Sequence, residues 1–344
     1  MKRKFEAVEE DSFDNQGVAW WRGRLLGKGG CGSVYLASLK PESSNAFYPP
    51  HMAVKSAEFS LSRSLRKEKE VFDHLRDCPY ILECYGEEIT VNNKGQMVYN
   101  LLLEYASGET LFDLIRRSGD RGLPESDVKR YIRSIPKGID YIHSHEYVHC
   151  DLKPENVLLV RSGSGDFVPK IGDFGLAKKV QKKKRRTFDS SIAGTILYMA
   201  PETLADHIQE SPSDIWALGC IVYEMFTGKP LWGLNLAEST EELRERIADR
   251  FELPEIPCGI SKDRKDFLKG CLVKNHKLRF TIKKLLNHRF VSGIDDKKST
   301  SLLASLAFIG LSCLISKSYC KRTILESFYK FLALYTLLCK IIRY

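Results

Sequence analysis

The sequence predicts a two-lobed α+β fold, with a small lobe built on an antiparallel sheet plus one helix and a larger, mainly helical lobe. The chain has 344 residues, which suits about two domains or two lobes sharing a cleft. Strand-like runs dominate up to about residue 104, whereas from Leu111 onward the apolar spacing is helical. Between the first two strand-like runs lies the glycine-rich stretch Gly27–Val34, and no helical pattern follows it, so it reads as a hairpin. Hydrophobic residues at 43% and charged ones at 28% are ordinary for a globular chain and leave ample material for a core.

The formal charge of +9, from 53 basic and 44 acidic side chains, is mild and gathered in a few runs. It suits anionic ligands or acidic partners and does not argue for nucleic acid. Ten Cys are scattered from Cys31 to Cys339 without CxxC or metal-ligand spacing, so neither a disulfide framework nor a zinc site is supported. The start, Met1-Lys2-Arg3-Lys4-Phe5-Glu6, is charged rather than apolar and carries no secretory signal. Reduced thiols then give an intracellular expectation, in the cytoplasm, the nucleus or both.

Residues 1–18 are polar and acidic and are expected to be a flexible N-terminus. Ala19–Leu26, rich in apolar and aromatic residues, suits a strand. It runs into Gly27-Lys28-Gly29-Gly30-Cys31-Gly32-Ser33-Val34, which reads G-x-G-x-x-G-x-V. Alone that pattern is weak, and a dinucleotide site would need a helix next. Val34-Tyr35-Leu36-Ala37 continues as a strand instead, so the glycines form a hairpin lid whose backbone N–H groups can approach phosphate oxygens. Met52–Lys55 is a short strand ending on a lysine. Leu65–Leu75 is an amphipathic helix with Glu68 on its inward face. An inward Glu needs a cation, and Lys55 is the natural partner. Cys78-Pro79 stops the helix, strands follow near Ile81–Tyr85 and Met97–Leu103, and Glu104–Gly108 connects to the second lobe. The small lobe is thus expected at about 19–104 and the large one at about 107–291.

Leu111–Arg117 and Glu125–Ser144 read as helices, the second with a kink expected at Pro136. Tyr147–Leu159 then carries the densest chemistry. Asp151, Lys153 and Asn156 share one loop before the apolar run Val157–Val160. Phosphoryl transfer needs such a set: a carboxylate to orient and deprotonate a hydroxyl, a lysine on the moving phosphoryl group and an amide oxygen on a metal ion. The bland alternative is a solvated loop before a strand. Pro169–Gly175 ends an apolar strand on Asp173, 22 residues after Asp151. Leu176–Ile192 is polar, contains the basic run Lys182–Arg186 and carries Thr187, Ser190 and Ser191. Pro212–Met225 is a helix apolar nearly all round, expected to be capped by Ser213 or Asp214 and buried at the centre of the larger lobe. Further helices fit Ala237–Arg250, Lys262–Cys271 and Thr281–Asn287. The tail, 292–344, is apolar and expected to be helical. Its uncharged run Leu302–Ile315 would span roughly 21 Å as helix, short of the roughly 30 Å of hydrocarbon. A hairpin packed on the globular body is the leading reading for it, and membrane attachment the minority one; a misassigned final exon gives the same composition.

From about Trp20 to Val291 these stretches resemble the eukaryotic protein kinases: glycine-rich hairpin, Ala53-Val54-Lys55, helix Glu68, His149-Cys150-Asp151-Leu152-Lys153-Pro154-Glu155-Asn156, Asp173-Phe174-Gly175, Gly194–Glu202, Asp214-Ile215-Trp216 and Arg279 stand in family order. The resemblance implies ATP and Mg²⁺. Leu26, Gly27, Lys28, Gly29, Gly30, Cys31, Gly32, Ser33 and Val34 would form the lid over ATP. Lys55 would meet its α- and β-phosphates, with Glu68 holding Lys55. Ala53 and Leu158 would sandwich the adenine, Leu103 would be the gatekeeper, and the backbone of Glu104 and Ala106 would take the adenine edge. Asp151 would be the catalytic base, Lys153 the cation on the γ-phosphate, and Asn156 with Asp173 the Mg²⁺ ligands. Phe72, Cys84, His149 and Phe174 would form the packed column aligning helix and metal-binding Asp, which leaves His149 no chemistry. Lys153, with Thr195 bridging Asp151 and Lys153, is similar to the Ser/Thr rather than the Tyr kinases. Glu202 with Arg279 looks like the buried pair that anchors the segment. The runs around Trp21–Gly27, Leu101–Gly108 and Tyr147–Asp151 resemble the short plant MEKK-like mitogen-activated protein kinase kinase kinases, which implies mitogen-activated protein kinase kinases as protein substrates.

Two positions depart from the family. Cys31 stands at the lid's tip, where an aromatic is usual. Cys150 stands before the catalytic Asp, where Arg usually pairs with a phosphate on the activation segment. With that cation gone, the segment has less electrostatic reason to wait for phosphorylation. The alternative to an enzyme is a non-catalytic scaffold that binds signalling partners, which would gain if Cys31, Cys150 or Pro136 spoiled the site. Lys182–Arg186 reads equally as a nuclear import signal or a solvated loop.

Overall fold

The computed structural model describes residues 16–42, 48–180, 193–233, 238–249, 251–257 and 259–292. The chain divides into two units, Met1–Val291 and Ser292–Tyr344; the description concerns the first, with Ser292 closing its last helix. The expectations for Lys182–Arg186, Thr187, Ser190, Ser191 and the tail lie outside the described residues.

A five-stranded antiparallel sheet in the order β1-β2-β3-β5-β4 forms the small lobe. Its strands are β1 (Trp20–Gly29), β2 (Gly32–Leu39), β3 (His51–Glu58), β4 (Cys84–Val91) and β5 (Met97–Glu104), with α1 (Arg63–His74) between β3 and β4. Gly29 pairs with Gly32, so the glycine-rich stretch is a hairpin turned at Gly30-Cys31. Gly32 has φ +136°, and a Cβ there would sit 2.3 Å from the Ser56 carbonyl oxygen; only glycine fits.

The strand expected over Ile81–Tyr85 overlaps β4 only at its last two residues. Ile81 and Leu82 instead plug the core at 2% and 4% exposure. Ile81 forms a parallel bridge to Ile171 of the larger lobe, and the Leu82 N–H donates to the Ile171 carbonyl at 2.9 Å. Tertiary packing has outweighed strand propensity there, while the strand starts at Cys84 and runs on through Glu87 and Glu88 to Val91 at the sheet edge.

Residues 16–18, placed by the sequence in a flexible terminus, are tied to the sheet. Glu88 accepts from the Val18 N–H and from Trp20 Nε1–H, both at 2.7 Å, and Lys40 Nζ donates to the Gly17 carbonyl at 2.8 Å. Trp20 thereby closes a second, smaller core on one face of the sheet with Ala37, Met52, Val54 and Leu102.

The larger lobe contains α2 (Leu111–Ser118), α3 (Glu125–Ser144), α4 (Pro201–Asp206), α5 (Ser211–Thr227), α6 (Thr240–Ala248), α7 (Lys262–Cys271), α8 (Ile282–Leu286) and α9 (Arg289–Ser292). Between α3 and α4 lie four short strands, β6 (Tyr147–Val148), β7 (Val157–Arg161), β8 (Phe167–Ile171) and β9 (Lys178–Lys179), paired β6–β9 and β7–β8. Helix α3 spans the expected residues and continues through Pro136. Helix α5 is the buried centre, with Trp216, Leu218, Ile221 and Met225 fully enclosed. Its cap is not the expected Ser213 or Asp214 but Glu210. The Ser213 N–H donates to the Glu210 backbone carbonyl at 2.8 Å while the Ser213 hydroxyl accepts from the Glu210 N–H at 3.3 Å. The helix therefore starts earlier, and Asp214 lies inside it. One contiguous core runs from Ala53 to Val291 across both lobes. Among the described residues no helix is long and apolar enough to cross a membrane.

Glu202 on α4 and Arg279 form a bidentate pair, 2.6 Å on each arm, with side chains 4% and 1% exposed. Arg279 spends further hydrogens on the Val273 and Pro212 carbonyls, each at 2.8 Å. Removing one partner strands the other charge away from water. Glu202→Ala should cost about 3–5 kcal/mol of unfolding free energy, read from urea melts, and adding Arg279→Met should recover part of it. A loss below about 1 kcal/mol, the range of surface pairs, would mean that the pair is hydrated.

Candidate active site

The loop after β6 is held from beneath by α5. Asp214, 1% exposed, accepts from the backbone N–H groups of His149 at 2.9 Å and Cys150 at 3.2 Å, and faces His143 Nε2 at 2.8 Å. A buried carboxylate with three polar partners is stable, and one without them would not be. With the loop so fixed, Cys150 adopts φ +67°, and Asp151 projects towards the segment that precedes α4.

Thr195 donates to Asp151 Oδ1 through both its backbone N–H and its hydroxyl, each at 2.9 Å. Lys153 Nζ donates to the Thr195 hydroxyl at 2.8 Å and lies 2.9 Å from Asp151 Oδ2. Asn156 Nδ2 donates to the Asp151 carbonyl at 2.8 Å and to its Oδ2 at 3.3 Å. The structure thus brings Asp151, Lys153, Asn156 and Thr195 into one cluster. It can orient a hydroxyl against a carboxylate with a cation alongside.

A second cluster joins three elements. Lys55 on β3 donates to Glu68 Oε2 on α1 at 2.7 Å and to Asp173 Oδ1 at 3.0 Å. Burial works against the Lys55 ammonium, but the two carboxylates outweigh it and hold its pKa above the ordinary value. Burial likewise pushes the Glu68 carboxyl up to about 6 against the pull of Lys55. Asp173 goes the other way: burial alone would raise it, and Lys55 holds it below the usual range. Phe72 of α1 meets Phe174 edge-on at 5.0 Å, and Phe174 meets His149 at 5.1 Å. His149 is fully buried with Nε2 on the Gly172 carbonyl at 3.1 Å, a packed ring rather than a reacting one.

The second cluster faces a cleft of about 580 Å³ between the lobes, within the range of small-ligand sites, and of the first cluster Asn156 lines it whereas Asp151, Lys153 and Thr195 do not. Leu26, Gly27, Val34, Ala53, Leu103, Glu104, Ala106 and Leu158 line it, together with Lys55, Glu68, Asn156 and Asp173. Lys28, Gly29, Gly30, Cys31, Gly32 and Ser33 do not; the lid's tip reaches α1, where Cys31 Sγ lies 3.4 Å from Ser64 Oγ. Glu104 is strapped to the larger lobe, both carboxylate oxygens accepting from Lys170 Nζ at 2.8 Å. Sequence reasoning missed Leu82, Gly172, Thr110 and Asp113 in the lining. Thr110 and Asp113 carried a readable signal, the T-x-x-D pattern that forms the capping box of α2. It also missed the anchoring role of Asp214, whose signal was a lone acid inside an apolar helix.

The donor set suits ATP and Mg²⁺. With its Nδ2 spent on Asp151, Asn156 keeps Oδ1 free of partners among the described residues, and Asp173 keeps Oδ2 free likewise. Two oxygen donors, one of them a carboxylate, suit Mg²⁺, which takes its remaining ligands from phosphates and water. The Ala106 N–H, lining the cleft, also has no acceptor among the described residues, which leaves a donor for a heterocycle edge.

A profile of the protein kinase domain matches residues 20–291. The chain is 43% identical over 276 residues to mitogen-activated protein kinase kinase kinase 20 of Arabidopsis thaliana, covering 80% of this chain and 79% of that protein. It is 39% identical over 278 residues to mitogen-activated protein kinase kinase kinase 17, covering 80% and 70%, and 37% identical over 292 residues to kinase kinase kinase 18, covering 83% and 81%, both of the same plant.

The Glu68 carboxyl gives a pH signature. Its folded-state pKa of about 6 lies above the ordinary 4.5, so the ionised form costs stability above pH 6 and the cost is gone below about 4.5. In phosphoryl transfer the ionised form is the one that would hold Lys55. Activity should therefore fall on the acid side with an apparent pKa near 6. Glu68→Gln should be roughly tenfold slower at pH 7.5 with its acid limb moved well below that of the wild type. An identical acid limb in the variant would assign it to another group.

Proposed function

The chain belongs to the protein kinase family and is a serine/threonine protein kinase; from that premise we propose that it acts as a mitogen-activated protein kinase kinase kinase, phosphorylating mitogen-activated protein kinase kinases. The observation that carries the catalytic reading is the pair of assembled clusters, Lys55–Glu68–Asp173 lining the cleft and Asp151–Thr195–Lys153 joined to it through Asn156. The cascade level is supported by the names of the relatives and by the extent of the match with them.

In this reading Asp151 accepts the proton of the protein substrate's Ser or Thr hydroxyl, held in line by the two Thr195 donors. Lys153, already between Asp151 and Thr195, presents its ammonium where charge moves. Lys55 positions phosphates, kept in place by Glu68. Asn156 and Asp173 would hold Mg²⁺ through the oxygens that have no partner among the described residues. Bound ATP with Mg²⁺ supplies the phosphoryl group and the neutralising charge. The scaffold alternative has no observation in its favour: Cys31, Cys150 and Pro136 leave both clusters assembled.

The test is transfer of labelled phosphate from ATP to a generic basic protein and to a purified mitogen-activated protein kinase kinase. Asp151→Asn should lower transfer by about a thousandfold or more, as expected for loss of an oriented base in a preorganised site. Equal signals from variant and wild type would refute the enzyme reading. Transfer to the basic protein but not to the kinase kinase would refute the cascade level alone.

A further inference from the structure

Cys150 places a thiol where the protein kinases that the chain resembles usually carry an arginine facing a phosphate. Burial, with Asp214 adding to it, pushes the Cys150 pKa up to about 12, and its Sγ donates to the Val148 carbonyl at 3.5 Å, so the group is uncharged. The cations that act on it are Lys178 of β9 and Lys67 of α1. Lys178 is already engaged: its Nζ donates to Gln209 Oε1 at 2.8 Å. The same amide donates through Nε2 to the Ala193 carbonyl at 3.2 Å.

Gln209 sits half-buried in the loop between α4 and α5. Its oxygen faces an ammonium and its nitrogen faces a carbonyl, so the two partners fix the amide's orientation; the flipped form would set donor against donor. One side chain thus spans the strand that opens the segment and the residue that leads into its anchored end. Ala193 is followed by Gly194, at φ +135°, where a Cβ would come within 2.9 Å of the Cys150 carbonyl oxygen. Thr195 comes next, with both donors on Asp151. Any drift of Ala193 is transmitted over two residues to the group that aligns the base.

We infer that Gln209 is a positioning residue, a neutral strut from Lys178 to Ala193 that holds Gly194-Thr195 against Asp151 without a phosphate on the segment. A phosphate elsewhere would supply two negative charges to draw cations together; here an amide joins the remaining lysine to the backbone directly. The consequence for activity rests on the kinase reading, whereas the strut itself can be observed independently of turnover.

The full chain, as wild type, Gln209→Ala, Gln209→Glu and Lys178→Met, is compared with and without phosphatase treatment. Amide hydrogen exchange is read in peptides covering residues 193–199, and transfer of labelled phosphate in parallel, with Asp151→Asn as the blank. Phosphatase should leave exchange in the wild type unchanged and its transfer within about threefold. Gln209→Ala should speed exchange at 193–199 about tenfold with α5 unaffected, and lower kcat about tenfold with KM for ATP nearly unchanged. Gln209→Glu keeps the acceptor for Lys178 but cannot donate to Ala193, and should behave like the Ala variant. Lys178→Met should match them, and the Lys178→Met, Gln209→Ala double variant should be no worse than either single one. Unchanged exchange in Gln209→Ala and Lys178→Met, or faster exchange in the wild type after dephosphorylation, would overturn the strut. A wild type no more active than Asp151→Asn would remove the kinase reading, with the exchange data still deciding the strut.

Discussion

A lysine ammonium whose side chain is 9% exposed must find anions, and Lys55 finds two. Taking such a charge out of water costs several kcal/mol, offset only by well-placed opposite charge. That requirement fixes the rest. It sets the depth of β3, which carries Lys55, and the rotation of α1, which must turn Glu68 inward. It also sets the backbone after β8, where Asp173 takes φ +58° to reach the same ammonium. The aromatic contacts Phe72–Phe174–His149 run beside this triad and supply packing that charge alone cannot.

The larger lobe solves the complementary problem of holding a polar loop still. Helix α5 is apolar nearly throughout, so its few acids stand out energetically. Asp214 captures the backbone of the loop that presents Asp151, and the Glu202–Arg279 pair fastens the far end of the segment that presents Thr195. Asp151 and Thr195 are 44 residues apart in sequence, and they meet because both flanks are pinned to the same buried scaffold. The resulting site is preorganised: its carboxylate already has the donors that orient it.

Much of this was legible in the sequence, for physical reasons that can be named. Glu68 was readable because an acid on the inward face of an amphipathic helix demands a partner, and Lys55 lay in the nearest strand, which runs on past it to Glu58 rather than ending there. The hairpin at Gly29–Gly32 was readable because strand residues continued past the glycines. Other features were not. The position of β4 was hidden because Ile81 and Leu82, good strand formers, serve as plugs between the lobes while the strand continues through the polar pair Glu87-Glu88 to Val91. The true cap of α5 was hidden by a nearer Ser-Asp pair, and tertiary demand made Asp214 an anchor instead. The second core around Trp20 depends on Glu88, 68 residues away, a contact that no local pattern encodes. Gln209 was unreadable for the same reason, since a lone amide in a polar loop has no periodicity to betray its partners.

The central claim is that Lys55 and Glu68 act as one unit in the site, and a double-mutant cycle on kcat/KM tests it most directly. Lys55→Met, Glu68→Gln and the combination would be compared with the wild type under one assay. If the pair is a unit, the combined loss should equal that of Lys55→Met alone to within about threefold, because once the ammonium is gone Glu68 has nothing left to position. Losses that multiply, leaving the double variant slower than Lys55→Met by the full Glu68→Gln factor, would contradict the account and give the two residues independent roles.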